Sequence, residues 1–158
     1  MTGAAAGRRR PRHAMVVHAY YPHAETRVQR EAEALVAAGY DVDIVCLRQA
    51  GQAPYEAVNG VGVHRLPVRR LHSAERSGRG GLGGQLREYL NFALRASLKV
   101  ASLHLSRRFR VVQVHNPPDF LVVAGLLPRL TGARLILDLH DLMPEFLEIG
   151  RASCRERV

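Results

Sequence analysis

At 158 residues the chain is long enough to bury one sizeable core and too short for two ordinary ones. Its formal charge of +9 sits mostly at the ends: Arg8, Arg9, Arg10 and Arg12 give the leader +4, the last ten residues carry +2, and Ala14 to Glu148 holds only +3. A near-neutral body without interleaved basic and aromatic residues argues against a nucleic-acid partner, and reads residues 1–13 as a disordered basic leader.

No apolar h-region precedes Met15, and the longest apolar run, Phe120 to Leu127, is far below the ~18 to 20 residues of a membrane span. Cys46 lies in an apolar strand and Cys154 in the tail, with no metal-like spacing between them. The expectation is a reduced, cytoplasmic chain with no cofactor and no metal.

In chain order, Ala14 to Ala19 reads as a buried first strand. After Pro22, Thr26 is positioned to cap a helix running to about Ala38, with Val28, Ala32, Leu35 and Val36 at helical spacing and Gly39 as its stop. Asp41 to Leu47 is the second strand. Glu56 to Leu66 holds two extended runs around Asn59-Gly60, a hairpin turn signal. The glycine-rich stretch from Arg69 to Gly84 reads as a mobile loop. Gln85 to Arg108 follows as a long amphipathic helix with Leu86, Leu90, Leu94 and Leu98, beside Phe92 and Val100, as its apolar side. Val111 to Val114 is the next strand, a helix runs from Pro118 or Asp119 to Leu130 with Gly132 as its stop, and Arg134 to Leu139 is the last strand. Strands alternating with helices predict an α/β fold, a Rossmann-like doubly wound parallel sheet.

In such a sheet ligands bind at the carboxyl ends of the strands. The fourth main strand ends in His115-Asn116-Pro117-Pro118-Asp119 and the last in Asp138-Leu139-His140-Asp141. These polar ends, with Tyr20, Tyr21 and Arg27 after the first strand, are the candidate site.

These residues resemble a known family. Val111-Val-Gln-Val-His-Asn-Pro-Pro-Asp119 followed by Asp138-Leu-His-Asp-Leu-Met-Pro-Glu145 is similar to the N-terminal domain of family 4 glycosyltransferases, retaining enzymes of the GT-B fold. Tyr21-Pro22, Arg27, Arg30-Glu31-Ala32, Leu35, Gly39-Tyr40 and Val42 resemble that family's first loop and helix, and Gly60 to Pro67 its following strand.

The resemblance implies the incomplete N-terminal half of a two-domain enzyme. That half binds a glycan or lipid-linked acceptor, while a C-terminal domain absent from this chain binds the nucleotide-sugar donor. A fragment lacking that domain is expected to be inactive and marginally stable, with exposed apolar surface. The first loop has Pro22-His23-Ala24-Glu25 where the family commonly has adjacent glycines, so no phosphate cradle is assigned there.

The resemblance gives His140 an approach to the donor sugar and reaction centre, with Asp141 orienting it or an acceptor hydroxyl; these are the candidate catalytic residues. Tyr20, Tyr21, Arg27, His115, Asn116, Asp119 and Asp138 are the candidate substrate-binding residues. Asp138 reads equally as a strand-end cap, and Asp119 as a helix-dipole partner. The basic helix after the glycine-rich loop could lie on anionic lipid at the inner face of the membrane or simply cover the sheet. The rival functions are a GT-B-fold sugar-nucleotide epimerase fragment and a non-catalytic flavodoxin-like binding module.

The domain is expected to span residues 14–148. Beyond it, Ile149 to Val158 breaks the family pattern and resembles a translated short-read sequencing adapter, so it is set aside as a non-native tail.

Overall fold

The computed structural model describes residues 10–68 and 82–139. Six strands, β1 (Arg12–Val16), β2 (Asp41–Leu47), β3 (Tyr55–Val58), β4 (Val61–Leu66), β5 (Val111–His115) and β6 (Arg134–Asp138), form one sheet in the order β3-β4-β2-β1-β5-β6. All neighbours are parallel except β3, which pairs antiparallel with β4 at the edge. The α-helices are α1 (Thr26–Ala37), α2 (Leu82–Arg107) and α3 (Leu126–Leu130), the last preceded by a 3-10 helix at Asp119–Gly125. The predicted α/β fold is therefore present.

Alternation along the strands feeds two cores. On one face, Met15, Ile44, Cys46, Val61 and Val63 meet Val28 and Ala32 of α1, with Leu35 and Val36 closing the edge. On the other, Ala14, Val16, Val45, Leu47, Val112 and Val114 meet Phe92, Ala96 and Val100 of α2 and Leu121 and Ala124 of the 3-10 helix. Burial of the Cys46 thiol pushes its pKa up to about 11, as for an inert core cysteine.

The Asn59-Gly60 turn forms as predicted, with φ of 50° and 82° at its two residues. Gly39 takes φ 87° at the end of α1.

Several expectations are corrected. β1 begins two residues early and ends at Val16. Thr26 is the first residue of α1 and not its cap; Glu25 holds that position and makes no side-chain capping bond. α2 begins at Leu82, so Gly83 and Gly84 belong to a helix and not to the glycine-rich loop, whose residues 69–81 lie outside the described ones. The segment after Pro118 is 3-10 before it becomes α-helical.

The largest correction concerns which face of α2 is buried. Leu86, Leu90, Leu94 and Leu98 are 51–65% exposed, while Phe92, Ala96 and Val100 are fully buried. Two residues along a helix turn through about 200°, so the leucine row and the Phe92 row lie on opposite sides. The sheet takes the row whose small Ala93 and Ala96 allow close approach, and Phe92 supplies the bulk.

Candidate functional site

The carboxyl ends of β5 and β6 converge with the first turns of α1. His115 and Asp138 are paired residues on adjacent strands, so their side chains share a face. His115 Nδ1 lies 2.9 Å from Asp138 Oδ2. The same oxygen accepts from Arg27 Nη2. Arg27 also donates to Glu31, one helical turn on, at 3.3 Å. Gln113, two residues before His115 and on the same face, donates to Glu31 Oε2 at 3.0 Å, and His13 is electrostatically coupled to His115 and Glu31.

The electrostatics of this network follow from burial and pairing. Partial burial pushes the Asp138 carboxyl up, but the hydrogen bond and charge of Arg27, with those of His115, outweigh it and hold the carboxyl below its ordinary range. Burial lowers the His115 imidazole, against the opposing pull of Glu31 and Asp138. An ionised Asp138 requires the proton on Nδ1 of a neutral ring. Nε2 is then a lone-pair acceptor, buried without a hydrogen-bond partner among the described residues and 4.0 Å from Glu31 Oε2.

Three predicted residues, Arg27, His115 and Asp138, are thus brought into direct contact. Asn116 and Asp119 form an adjoining pair: Asn116 Nδ2 donates to Asp119 Oδ1 at 3.2 Å, and the Asn116 backbone amide donates to the Asp138 carbonyl. Asp119 is exposed in the first turn of the 3-10 helix, where a carboxylate favours the dipole. Tyr20 is half-buried against the α2-side core. Tyr21 is only 1% exposed inside the α1-side core, and burial pushes its hydroxyl up to about 12. Its ring offers no open face for stacking on a sugar. His140 and Asp141 lie outside the described residues.

Glu31, Gln113 and His13 belong to the network and were not picked out as site residues from the sequence. The i, i+4 spacing of Arg27 and Glu31, and the alternation of Gln113 with His115, are the signals that point to them. A second buried pair, His18 with Glu88 at 3.5 Å, joins residues just after β1 to α2 beneath the rings of Tyr89 and Phe92.

Glu31, His115 and Asp138 place one potential ligand atom each within 4.8 Å of one another. A guanidinium already lies against both carboxylates, and Gln113 takes the remaining Glu31 oxygen. Arg27 therefore supplies the positive charge that a metal would bring.

The arrangement suits hydroxyl recognition. It offers an ionised carboxylate, a guanidinium, a neutral imidazole and a side-chain amide at one sheet edge.

A family model described as a glycosyl transferase 4-like domain matches residues 24–157. That range includes both strand ends of the site and continues through the tail set aside above. Among solved structures, the chain is similar to the C-terminal domain (residues 78–226) of PF1911 hydrogenase from Pyrococcus furiosus. The identity is 18% and the TM-score 0.56, over 82% of this chain and 91% of that one. A second crystal structure of that domain (residues 83–215) gives 15% identity and a TM-score of 0.54, over 87% and 100%. At these identities the likeness is one of fold alone. Among curated proteins none matches significantly.

Proposed function

The chain belongs to the glycosyl transferase 4-like domain family, and from that premise we propose that it is the acceptor-binding half of a retaining glycosyltransferase. The observation that carries this reading is the Arg27–Asp138–His115 contact at the carboxyl edge of the sheet, where an α/β domain presents its ligand groups.

In the reaction the bond from the sugar's anomeric carbon to the leaving phosphate breaks. A bond to an acceptor hydroxyl oxygen forms on the same face, the nucleoside diphosphate departs with the electron pair, and the hydroxyl's proton passes to an oxygen of that departing diphosphate. The acceptor half has to hold that hydroxyl in line for attack, which removes a large entropic part of the barrier. Asp138 and Glu31 accept from sugar hydroxyls, while the well-exposed Arg27 donates to sugar oxygens. On this reading His140 and Asp141, which follow the last described residue in sequence, serve the reaction centre.

The nucleotide-sugar would be held by a second domain facing this edge. On this reading these 158 residues transfer no sugar alone. The work belongs in the cytoplasm, at the inner membrane face where the acceptor is lipid-linked.

A glycan array probed with the tagged chain, beside equilibrium titration with UDP-glucose and GDP-mannose, tests the assignment of halves. The expected result is saturable binding to a subset of glycans that Asp138→Asn abolishes, with no saturation by either nucleotide-sugar. Saturable binding of a nucleotide-sugar by this chain, or sugar transfer by it, would overturn the proposal.

A further inference from the structure

The amino edge of the sheet, opposite the strand ends of the site, carries a cluster of its own. Arg10 and Arg12 at the start of β1, Arg107 and Arg108 at the end of α2, and Arg110 just before β5 line one open hollow of about 680 Å³. That volume falls in the range of small-molecule sites, roughly 300–1,000 Å³. β1 is five residues long, so the hollow lies about 16 Å from the carboxyl edge.

Backbone bonds fix the frame of the hollow. Asp41 donates its amide N–H to the Pro11 carbonyl at 3.0 Å, and Arg110 donates to the Arg12 carbonyl at 2.8 Å. Arg12 Nη1 donates to the Arg107 carbonyl at 2.6 Å, and Arg12 Nε lies 3.7 Å from Asp41 Oδ2. Arg107 donates to the buried Asp43 at 2.9 Å. Two of the five arginines are thus held by one carboxylate each. Arg10, Arg108 and Arg110 are exposed and pair with no carboxylate among the described residues.

The end of a helix favours a nearby cation, and Arg12 already fills that place on the last carbonyl of α2. The other charges need a different account. Arg108 stands just past α2 at φ 57°, a left-handed position at which glycine is the favoured residue. Like charges gathered in one concave wall repel one another until an anion sits between them.

We propose that this hollow binds a soluble molecule carrying two or more linked phosphate groups. Guanidinium forks match phosphate oxygens two bonds at a time, and three unpaired forks exceed what a single phosphate requires. The lining includes no aromatic ring, so it offers partners to phosphates and no stacking surface to a base. Its concave shape suits a compact ligand over the plane of a bilayer or the rod of a duplex. Once bound, the ligand bridges the starts of β1 and β5 to the end of α2 and stabilises the fold by mass action.

Calorimetric titration of the full chain with inorganic tripolyphosphate at low salt tests this. One saturable site per chain is expected, tighter than for orthophosphate, with a rise in melting temperature and a loss of affinity as salt is added. Arg108→Ala/Arg110→Ala should weaken binding at least about tenfold. Arg87→Ala/Arg95→Ala removes the same charge from α2 at about 18 Å or more from Arg107 along the helix, and should change the affinity less than about twofold. Circular dichroism of both variants checks that the fold is kept.

The proposal is overturned by an absence of saturable binding at low salt, or by orthophosphate binding as tightly as tripolyphosphate. Equal losses from the two arginine pairs would mean that net charge alone attracts the anion, and no loss from Arg108→Ala/Arg110→Ala would leave the basic leader as its site. Displacement of tripolyphosphate by phosphatidylglycerol vesicles at equal phosphate concentration would reassign the hollow to lipid headgroups. Each of these outcomes also contradicts it, and none bears on glycan binding at the strand ends.

Discussion

His115 and Asp138 sit opposite each other at the last paired position of β5 and β6, with Nδ1 and Oδ2 2.9 Å apart. Arg27 reaches the same carboxylate from α1, so one oxygen ties two strands and a helix together. Asp138→Asn keeps the shape but removes the charge that both partners face. It is expected to lower the His115 pKa further, because Asp138 is one of the groups holding it up. The stability cost is about 1 kcal/mol, since Arg27 is well exposed and can turn to water. Histidine-selective NMR titration and urea unfolding check the two effects.

Acid should weaken the fold in a definite window. Burial lowers the imidazoles of His13 and His115 below the ordinary 6.5. Such groups bind protons more readily in the unfolded chain, so stability is full above 6.5 and declines as the pH falls below it. Asp138 behaves as a depressed carboxyl. Its stabilisation is present above the ordinary 3.8 and is lost as the pH falls further. Urea midpoints should therefore drop between about pH 7.5 and pH 5.5, and His115→Gln should flatten that dependence. A midpoint that rises toward pH 5.5 would contradict this.

A separate buried network should dominate stability away from the site. Asp43 is 1% exposed within the sheet, 2.9 Å from His64 Nε2 and 2.9 Å from Arg107 Nη1. Asp43→Ala leaves the buried His64 and the guanidinium of Arg107 without their carboxylate, at an expected cost of about 3 kcal/mol. Gly62→Ala tests the same spot by sterics. A Cβ there would stand 2.8 Å from Asp43 Oδ1, which both partners hold in place. A destabilisation of about 1–3 kcal/mol is expected.

The two faces of α2 give a direct contrast. Phe92→Ala empties a fully buried position and should cost about 3–5 kcal/mol. Leu94→Ala removes a side chain that is 63% exposed and should change unfolding by about 0.5 kcal/mol or less. Comparable losses from both would mean that the leucine row is buried after all.

Much of this was legible in the residues. The apolar runs and the punctuation by Gly39, Asn59-Gly60 and Gly132 place every strand to within about three residues, because those signals are local. The contact of Arg27 with His115 and Asp138 was only partly legible. Each residue was marked as a strand-end or first-loop candidate, but their convergence depends on the register of β5 with β6 and on where α1 crosses the sheet. Both are long-range.

Tyr21 shows the opposite case: a loop aromatic named as a substrate-binding candidate folds into the core. The face of α2 was misread because both of its sides are apolar. Periodicity identifies a stripe but does not say which of two stripes meets the sheet, and here the row with the smaller residues does.

The most direct test follows the imidazole of His115 by NMR, in the chain with labelled histidines, while array-selected glycans, UDP-glucose and GDP-mannose are added in turn. The account predicts that a binding glycan shifts the His115 ring signals saturably and that Asp138→Asn removes the effect, with neither nucleotide-sugar shifting them. Saturable shifts of His115 by a nucleotide-sugar, or glycan binding that leaves His115 untouched, would contradict it.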